Sequence, residues 1–400
     1  MTTAEHTGAQ QKGPLSGIRV LDLSACIAGP YGCSLLADMG ADVLKIEPPS
    51  GDNLRKYPST LEAESRAFLG VNRSKRGLVI DLKREEGLAV LLKLIDKADV
   101  LVHNFRPSVP ARLGIAYERF QQTHPRLIYC AVTGYGESGP MKDNAGYDQV
   151  LQSLTGICSL QGKHGQPPEI VYGSVVDYYA AALVLSGVSA ALFDRERTGQ
   201  GQFVGVSLLR SALAMQSARF IWADGESRDV GRDMRSGGVT GIHPTREGHI
   251  YLSANTAHFW QALCERVGLP ALAANPEYDT LKKRAARADE ILPQLHLALR
   301  AHTALEWEQI FGQDVPSAAV RSIGDMFDHP QVLANEIITT MDHPVIGPYK
   351  GFTKPIKFGN TPGPMSFAAP TLGQHSTAVL IAHGYSTEEV ERMRAQGVIA

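Results

Sequence analysis

A chain of 400 residues, 44% hydrophobic and 20% charged, is globular in composition and too long for one ordinary core. Its formal net charge of −2 lacks the basic excess that binding to nucleic acid or an anionic membrane surface calls for. A small phosphate-bearing ligand stays compatible, because it needs only a local basic pocket.

Residues 1–14 read as a polar tail without the apolar stretch of a signal peptide. Gly17–Leu23 is a first β-rich run, followed by the Ala28-Gly29-Pro30 turn and a helical pattern through Met39. Further strands are expected at Asp42–Ile46, Leu78–Leu82, Asp99–His103 and Arg126–Val132, with a helix over Glu85–Lys97. A long helix is expected from Tyr178 to about Arg195, with Gly199 closing it, and then a strand over Gln202–Leu208. The alternation implies an α/β protein: an open, mostly parallel Rossmann-like sheet covered by helices. Ligands in such sheets bind beyond the carboxyl ends of strands, here Ser24–Gly29, Glu47–Gly51, Asn104–Arg106 and Thr133–Gly136.

Past Asp224 the composition shifts, with a strand at Gly248–Ala254 and helices at His258–Val267, Arg284–His302 and Ala304–Phe311. We therefore expect a large domain over 15–224, a smaller α+β domain over 225–330, and a return segment over 331–400. The Pro- and Gly-rich stretch His343–Pro370 is expected to be irregular. Five scattered cysteines form no C-x-x-C pair, so no metal site or disulfide framework is expected. Apolar runs such as Ala180–Phe193 are short and broken by polar residues, and a cytoplasmic protein that spans no membrane is the expectation.

The first strand, turn, helix and second strand ending in Glu47 imitate a dinucleotide-binding unit. The turn, however, reads Ile27-Ala28-Gly29-Pro30-Tyr31-Gly32 and has no G-x-G-x-x-G. Pro30 removes a backbone donor that a pyrophosphate would use.

The runs PLSGIRVLDLS…AGPYGCSLLADMGADVLKIEPPSGD, NRSKRGLVIDLKREEG, ADVLVHNFRPSVPARLG, TGYGESGP…GYD and DRERTGQGQFVGVSLL closely resemble the class III coenzyme A transferase family. The resemblance extends from about residue 14 to the end. It implies an enzyme that takes coenzyme A as part of its substrate, with no permanently bound cofactor, and uses acyl-CoA and small carboxylic acids. It also implies a homodimer of two interlocked rings. The matching nucleophile is Asp177, in GSVVDY. For coenzyme A the resemblance points to Ile27, Ala28, Ile80, Lys83, Asn104, Phe105 and Arg112, and Tyr135 of the TGYG segment joins them. Arg73 and Lys75 are candidates for the CoA phosphates; a solvated basic turn is the alternative. Ile27 and Thr133 depart from the members specific for formyl and oxalyl groups. Dicarboxylates are common substrates among the most similar sequences, which makes succinyl-CoA the first donor to try.

Two alternatives accompany these expectations. Asp177 sits where a helix cap would, a role worth ~1 kcal/mol, and the helix N–H groups beside it could hold an oxyanion. The family also contains 2-methylacyl-CoA racemases, which need an acid/base pair at the α-carbon. Their motif has His in the middle of the triplet that reads Gly146-Tyr147-Asp148 here, and a phenol with an ordinary pKa of about 10 is a poor base. His103, His243 and His258 lack that context and read as surface or structural.

Overall fold

The computed structural model describes residues 12–161, 167–226 and 239–400. The Gly237-Gly238 pair, which the sequence suggests as a flexible loop near the thioester, lies outside the described residues. The chain divides into two compact units, Trp222–Leu333 and the segments on either side of it.

In the larger unit six strands form one parallel sheet: β1 (Arg19–Asp22), β2 (Asp42–Glu47), β3 (Arg76–Val79), β4 (Val100–His103), β5 (Ile128–Thr133) and β6 (Phe203–Ser207). Their order is 3-2-1-4-5-6, so the chain switches direction between β1 and β4. β4 and β5 are buried along their whole length, as expected for strands covered on both faces. Alternation along the strands divides the core. Val20, Val43, Val100, Val102 and Ile128 face one layer, and Leu21, Leu44, Leu101 and Tyr129 face the other.

The helices of this unit are α1 (Ala28–Asp38), α2 (Arg66–Val71), α3 (Glu85–Ile95), α4 (Val109–Arg112), α5 (Tyr117–Thr123), α6 (Asp148–Leu154), α7 (Val175–Thr198) and α8 (Leu208–Ala214). α1 and α7 pack together on the first face through Leu36, Val184 and Val188, and α3 covers the second through Leu91 and Leu94. α7 is long and apolar enough to cross a bilayer by length and composition, but Val176, Ala180, Val184 and Val188 along it are buried in this core. It ends at Gly199 (φ +74°), whose N–H donates to the Arg195 carbonyl at 2.8 Å. A side chain there would be strained.

The smaller unit carries a three-stranded antiparallel sheet, β7 (Gly241–Pro244), β8 (His249–Leu252) and β9 (Ser317–Ala319). Its core of Trp260, Leu263, Ile291, Leu295, Trp307 and Phe311 comes largely from its helices. The single helix expected over Arg284–His302 is two helices, Leu281–Ala286 and Ala288–Leu299, broken at Arg287. Arg284 is buried and its guanidinium donates to the carbonyls of Tyr278 (2.9 Å) and Ala254 (3.2 Å), a tertiary tie that helical periodicity does not register.

The return segment also departs from expectation at its start. Ile338–His343 and Gly347–Phe352 pair as an antiparallel hairpin, with irregular chain only after it. The chain end lies along β3: Asp81 N–H donates to the Val398 carbonyl (2.8 Å) and Gly77 N–H to His375 Nδ1 (3.0 Å).

Candidate active site

The switch between β1 and β4 opens the sheet at its carboxyl edge, and two adjoining cavities sit there. They share Ala25, Asn104 and Phe105 as a common wall. The first, about 220 Å³, contains Asp177 together with Cys26, Ile27, Ala28, Arg106, Thr133, Lys142 and Tyr147. The second, about 360 Å³, takes in Ile46, Gly51, Ile80, Lys83 and Leu113.

The loop Ser24–Ala28, whose residues Ala25, Cys26, Ile27 and Ala28 line the first cavity, is held from below by a buried ionic network. Asp22, at the end of β1, accepts from Ser24 N–H (3.0 Å) and from the Lys75 ammonium (2.8 Å). Lys45 of β2 donates to the Ser24 carbonyl (2.5 Å) and pairs with Asp52 (2.9 Å). Asp52 in turn accepts from Cys26 N–H at 3.1 Å. Asn104 clamps the same loop from β4, accepting from Ala25 N–H (2.9 Å) and donating to the Ala25 carbonyl (2.7 Å). These bonds hold Cys26 in the left-handed region (φ +65°), an uncommon conformation for a residue with a side chain.

Arg73 and Lys75 correct an expectation. Neither is a solvated basic turn nor open to a phosphate: both are almost completely buried. Lys75 spends its ammonium on Asp22, the Pro30 carbonyl and Asn72, and Arg73 is paired with Asp38. Their positions fold inward because the residues between α2 and β3 pass beneath α1, where Asp22 and Asp38 require cations. Burial raises Asp22, but Lys75 and Lys45 outweigh it and hold the carboxyl below its usual range.

Asp177 belongs to the first turn of α7, and Ser174 occupies the cap position. The helix is capped from outside the segment. Asp148, buried at the start of α6, accepts from Val176 N–H (2.6 Å) and Asp177 N–H (3.0 Å), while its other oxygen accepts from Gln152 Nε2 (2.5 Å). The cap reading of Asp177 is therefore replaced, and these two N–H groups are already engaged. Gly146 makes this placement possible: a Cβ there would stand 2.7 Å from Gly134 Cα, so the chain before Asp148 passes directly against the end of β5. Burial first, and the neighbouring Asp148 charge second, push the Asp177 carboxyl up to about 7.

The candidate residues fall into three places. Ile27, Ala28, Asn104, Phe105 and Asp177 line the first cavity, and Ile80, Lys83, Asn104 and Phe105 the second. Phe105 stacks on His103 (centroids 5.3 Å apart, 19° between planes) and presents its ring to both. His103 is buried, its Nδ1 accepts from Phe105 N–H at 3.2 Å, and burial lowers its pKa to about 4. Arg112 stands exposed beside Leu113 but lines neither cavity. Tyr135 is turned inward as well: it is buried, and its hydroxyl donates to the Ala145 carbonyl at 3.3 Å, tying down the loop before Gly146. Cys26 and Arg106 fall within the strand-end stretches Ser24–Gly29 and Asn104–Arg106 but carry no individual assignment from the sequence, and Lys142 lies outside those stretches. Arg106 lies within the HNFRP run and at a strand end, which was signal enough to have found it.

A crevice at the switch point of a parallel sheet is where α/β proteins take their ligands, and here it holds a half-buried carboxylate at a helix start. The chain belongs to CoA-transferase family III, whose model matches residues 15–376, and is a transferase of that class. It is 34% identical to the acetyl-CoA:oxalate CoA-transferase of Acetobacter aceti, over 84% of this chain and 87% of that protein. It is 32% identical to the succinate–glutarate CoA-transferase of Agrobacterium fabrum, over 92% and 96%. Among solved structures, a CAIB/BAIF family protein from Brucella suis superposes with a TM-score of 0.82 at 26% identity, over 93% of this chain and all of that one.

Proposed function

We propose that the protein moves coenzyme A from an acyl-CoA donor to a free carboxylic acid with Asp177 as nucleophile. The observation that carries this reading is a half-buried carboxylate of raised pKa, at a helix start, open to a cavity beside a second and larger one. The Asp177 carboxylate attacks the thioester carbonyl, the C–S bond breaks, and a mixed anhydride and CoA thiolate form. The thiolate attacks the aspartyl carbonyl and expels the donor acid as its carboxylate. The acceptor carboxylate then attacks the aspartyl-CoA thioester, and the released thiolate takes the acceptor acyl group, restoring Asp177. No net proton is needed at any stage. A desolvated carboxylate suits the first attack, because little solvation is lost when it becomes an anhydride oxygen.

In this reading Ile27, Ala28, Asn104 and Phe105 border the thioester end, while Ile80, Lys83 and Phe105 receive the remainder of CoA, and Arg112 lies at its outer edge. The second cavity falls within the size range of ordinary ligand pockets, roughly 300–1,000 Å³, and the first is smaller, suited to an acyl group. An interlocked homodimer and a cytoplasmic location belong to the same proposal; sedimentation at micromolar concentration is expected to give a dimer. Tyr147, more than half exposed, stands where a racemase would need its base. A 2-methylacyl-CoA in deuterated water is expected to show no enzyme-dependent α-exchange.

Trapping tests the nucleophile directly. Hydroxylamine added with acyl-CoA is expected to modify Asp177 alone, and borohydride to reduce its thioester, as read by peptide mass. A label on a different carboxylate, such as Asp148, would overturn the assignment.

A further inference from the structure

We infer that Gln152 is a positioning residue for the nucleophile: its amide fixes the Asp148 carboxylate and the Val171 backbone, and these two set the start of α7. It rests on the reading of Asp177 as the nucleophile, because only then does the first turn of α7 place a reacting group.

Gln152 lies one helical turn after Asp148 on the same side of α6, and its side chain is fully buried. The amide is spent on two separate stretches of chain. Its Nε2 donates to Asp148 Oδ1 (2.5 Å) and to the Val171 carbonyl (3.1 Å), and its Oε1 accepts from Val171 N–H (2.9 Å). Val171 leads into the turn at Gly173, where the backbone takes a φ of +88°. On the far side of that turn Asp148 Oδ2 accepts from the N–H groups of Val176 and Asp177. The turn that delivers Asp177 is thus tied down at its entrance by Gln152 and at its exit by Asp148.

Packing alone does not call for an amide here. Leu151 and Val176 belong to the apolar core, and a buried amide is tolerated in such a setting only when its bonds are made. An apolar side chain would fill the space without that demand. What the amide adds is direction. Asp148 accepts from Gln152 at one oxygen and from α7 at the other, so its carboxylate cannot turn without breaking one set of bonds. Held in this way, it keeps its charge beside Asp177, the second cause after burial of that carboxyl's raised pKa. Cys26, Tyr57 and Tyr178 also share a field with Asp177. Burial raises each of them above its ordinary value, and they stay neutral near pH 7.

The test compares CoA transfer and CoA binding in the full-length protein and in Gln152→Met, Gln152→Glu, Asp148→Asn and the double variant Asp148→Asn/Gln152→Met. Gln152→Met is expected to lower the plateau of kcat/KM for the acyl-CoA donor by about 10- to 100-fold, as a misplacement of roughly 1 Å does, with the CoA dissociation constant within about twofold. Its acid limb should move to lower pH, the direction expected for Asp148→Asn, because Asp148 is no longer held toward Asp177. Added to Asp148→Asn, the same substitution should cost less than about threefold, since the route it acts through is already cut. Gln152→Glu keeps the shape and the acceptor for Val171 N–H, and its protonated form donates to Asp148, so it should recover part of the loss. If circular dichroism shows Gln152→Met unfolded, Gln152→Asn, which keeps the amide but shortens its reach, is expected to show the same pattern at smaller size. Additive losses in the double variant, a limb that stays in place, a Glu variant no better than Met, or CoA binding weakened in step with the rate would make Gln152 a packing residue and overturn the inference. Near-normal transfer in Asp177→Asn would instead remove the nucleophile, an outcome read without the Gln152 series.

Discussion

Two pairs of acids stand near the first cavity, three of the four buried and Asp177 half-buried. Asp22 and Asp52 are surrounded by cations: Lys75 bonds the first, Lys45 the second. Asp148 and Asp177 face each other at the start of α7 with no cation bonded to either among the described residues. In the first set Lys75 and Lys45 hold the Asp22 carboxyl below its usual range against its burial, and both acids bond the loop. The second leaves Asp177 with a carboxyl pushed up to about 7, its negative charge stabilised by no partner. Pairing makes a carboxylate structural; withholding the partner leaves it ready to react.

Breaking the unpaired set has the larger effect. Asp177→Asn is expected to reduce CoA transfer by about 10⁴-fold or more while leaving CoA binding intact. The measurement is steady-state transfer, with deamidation back to Asp excluded by mass. Near-normal transfer would mean that the contrast between the two sets says nothing about chemistry.

Breaking the paired set should cost stability instead. Lys75→Met leaves Asp22 buried with its direct partner gone, and a loss of about 3–5 kcal/mol is expected by denaturant unfolding. Asp22→Leu combined with Lys75→Met should recover much of that loss, since the uncompensated charge goes with it. Lys83→Met, an exposed cation of the second cavity, should change stability by no more than about 0.5 kcal/mol.

The pH profile sharpens the comparison. With the Asp177 carboxylate as the attacking form, as proposed, kcat/KM for the acyl-CoA donor should rise about tenfold per pH unit below 7 and level off above it. Asp148→Asn keeps an oxygen to accept from α7 but removes the like charge, so the acid limb should move to lower pH. Burial, the larger cause, remains, and the limb should stop short of the ordinary carboxylate range. A limb that does not move would show that Asp148 acts only as a cap.

The same shift acts on thermal stability. A carboxyl whose pKa is higher in the fold than in the unfolded chain opposes folding once it must ionise. That cost is absent near pH 4, grows as pH rises, and is complete above about 7. Asp177→Asn should therefore raise Tm at pH 8 and raise it less at pH 5. A uniform change across pH would point to altered packing.

How much of this was legible depended on range. The six strands, the long apolar helix and its Gly199 stop were readable from the sequence, because period-two runs, helical spacing and a glycine terminator act locally. The carboxyl edge of the sheet, where the cavities open and the HNF and GSVVDY runs meet, was also readable as a place. The fate of charged residues was not. Arg73, Lys75 and Lys83 look alike in a linear reading, yet the first two are struts under α1 and the third borders a cavity. Charge sign is local, but burial depends on which acids lie across the fold, and Asp22 and Asp38 are 53 and 35 residues away in the chain. The capping of α7 by Asp148 spans 28 residues and hinges on the close pass of Gly146 over Gly134. By itself the sequence determined the strand and helix pattern and which residue types could react. Tertiary structure alone decided which charges were paired, because a buried ion takes its state from neighbours that the chain brings from elsewhere.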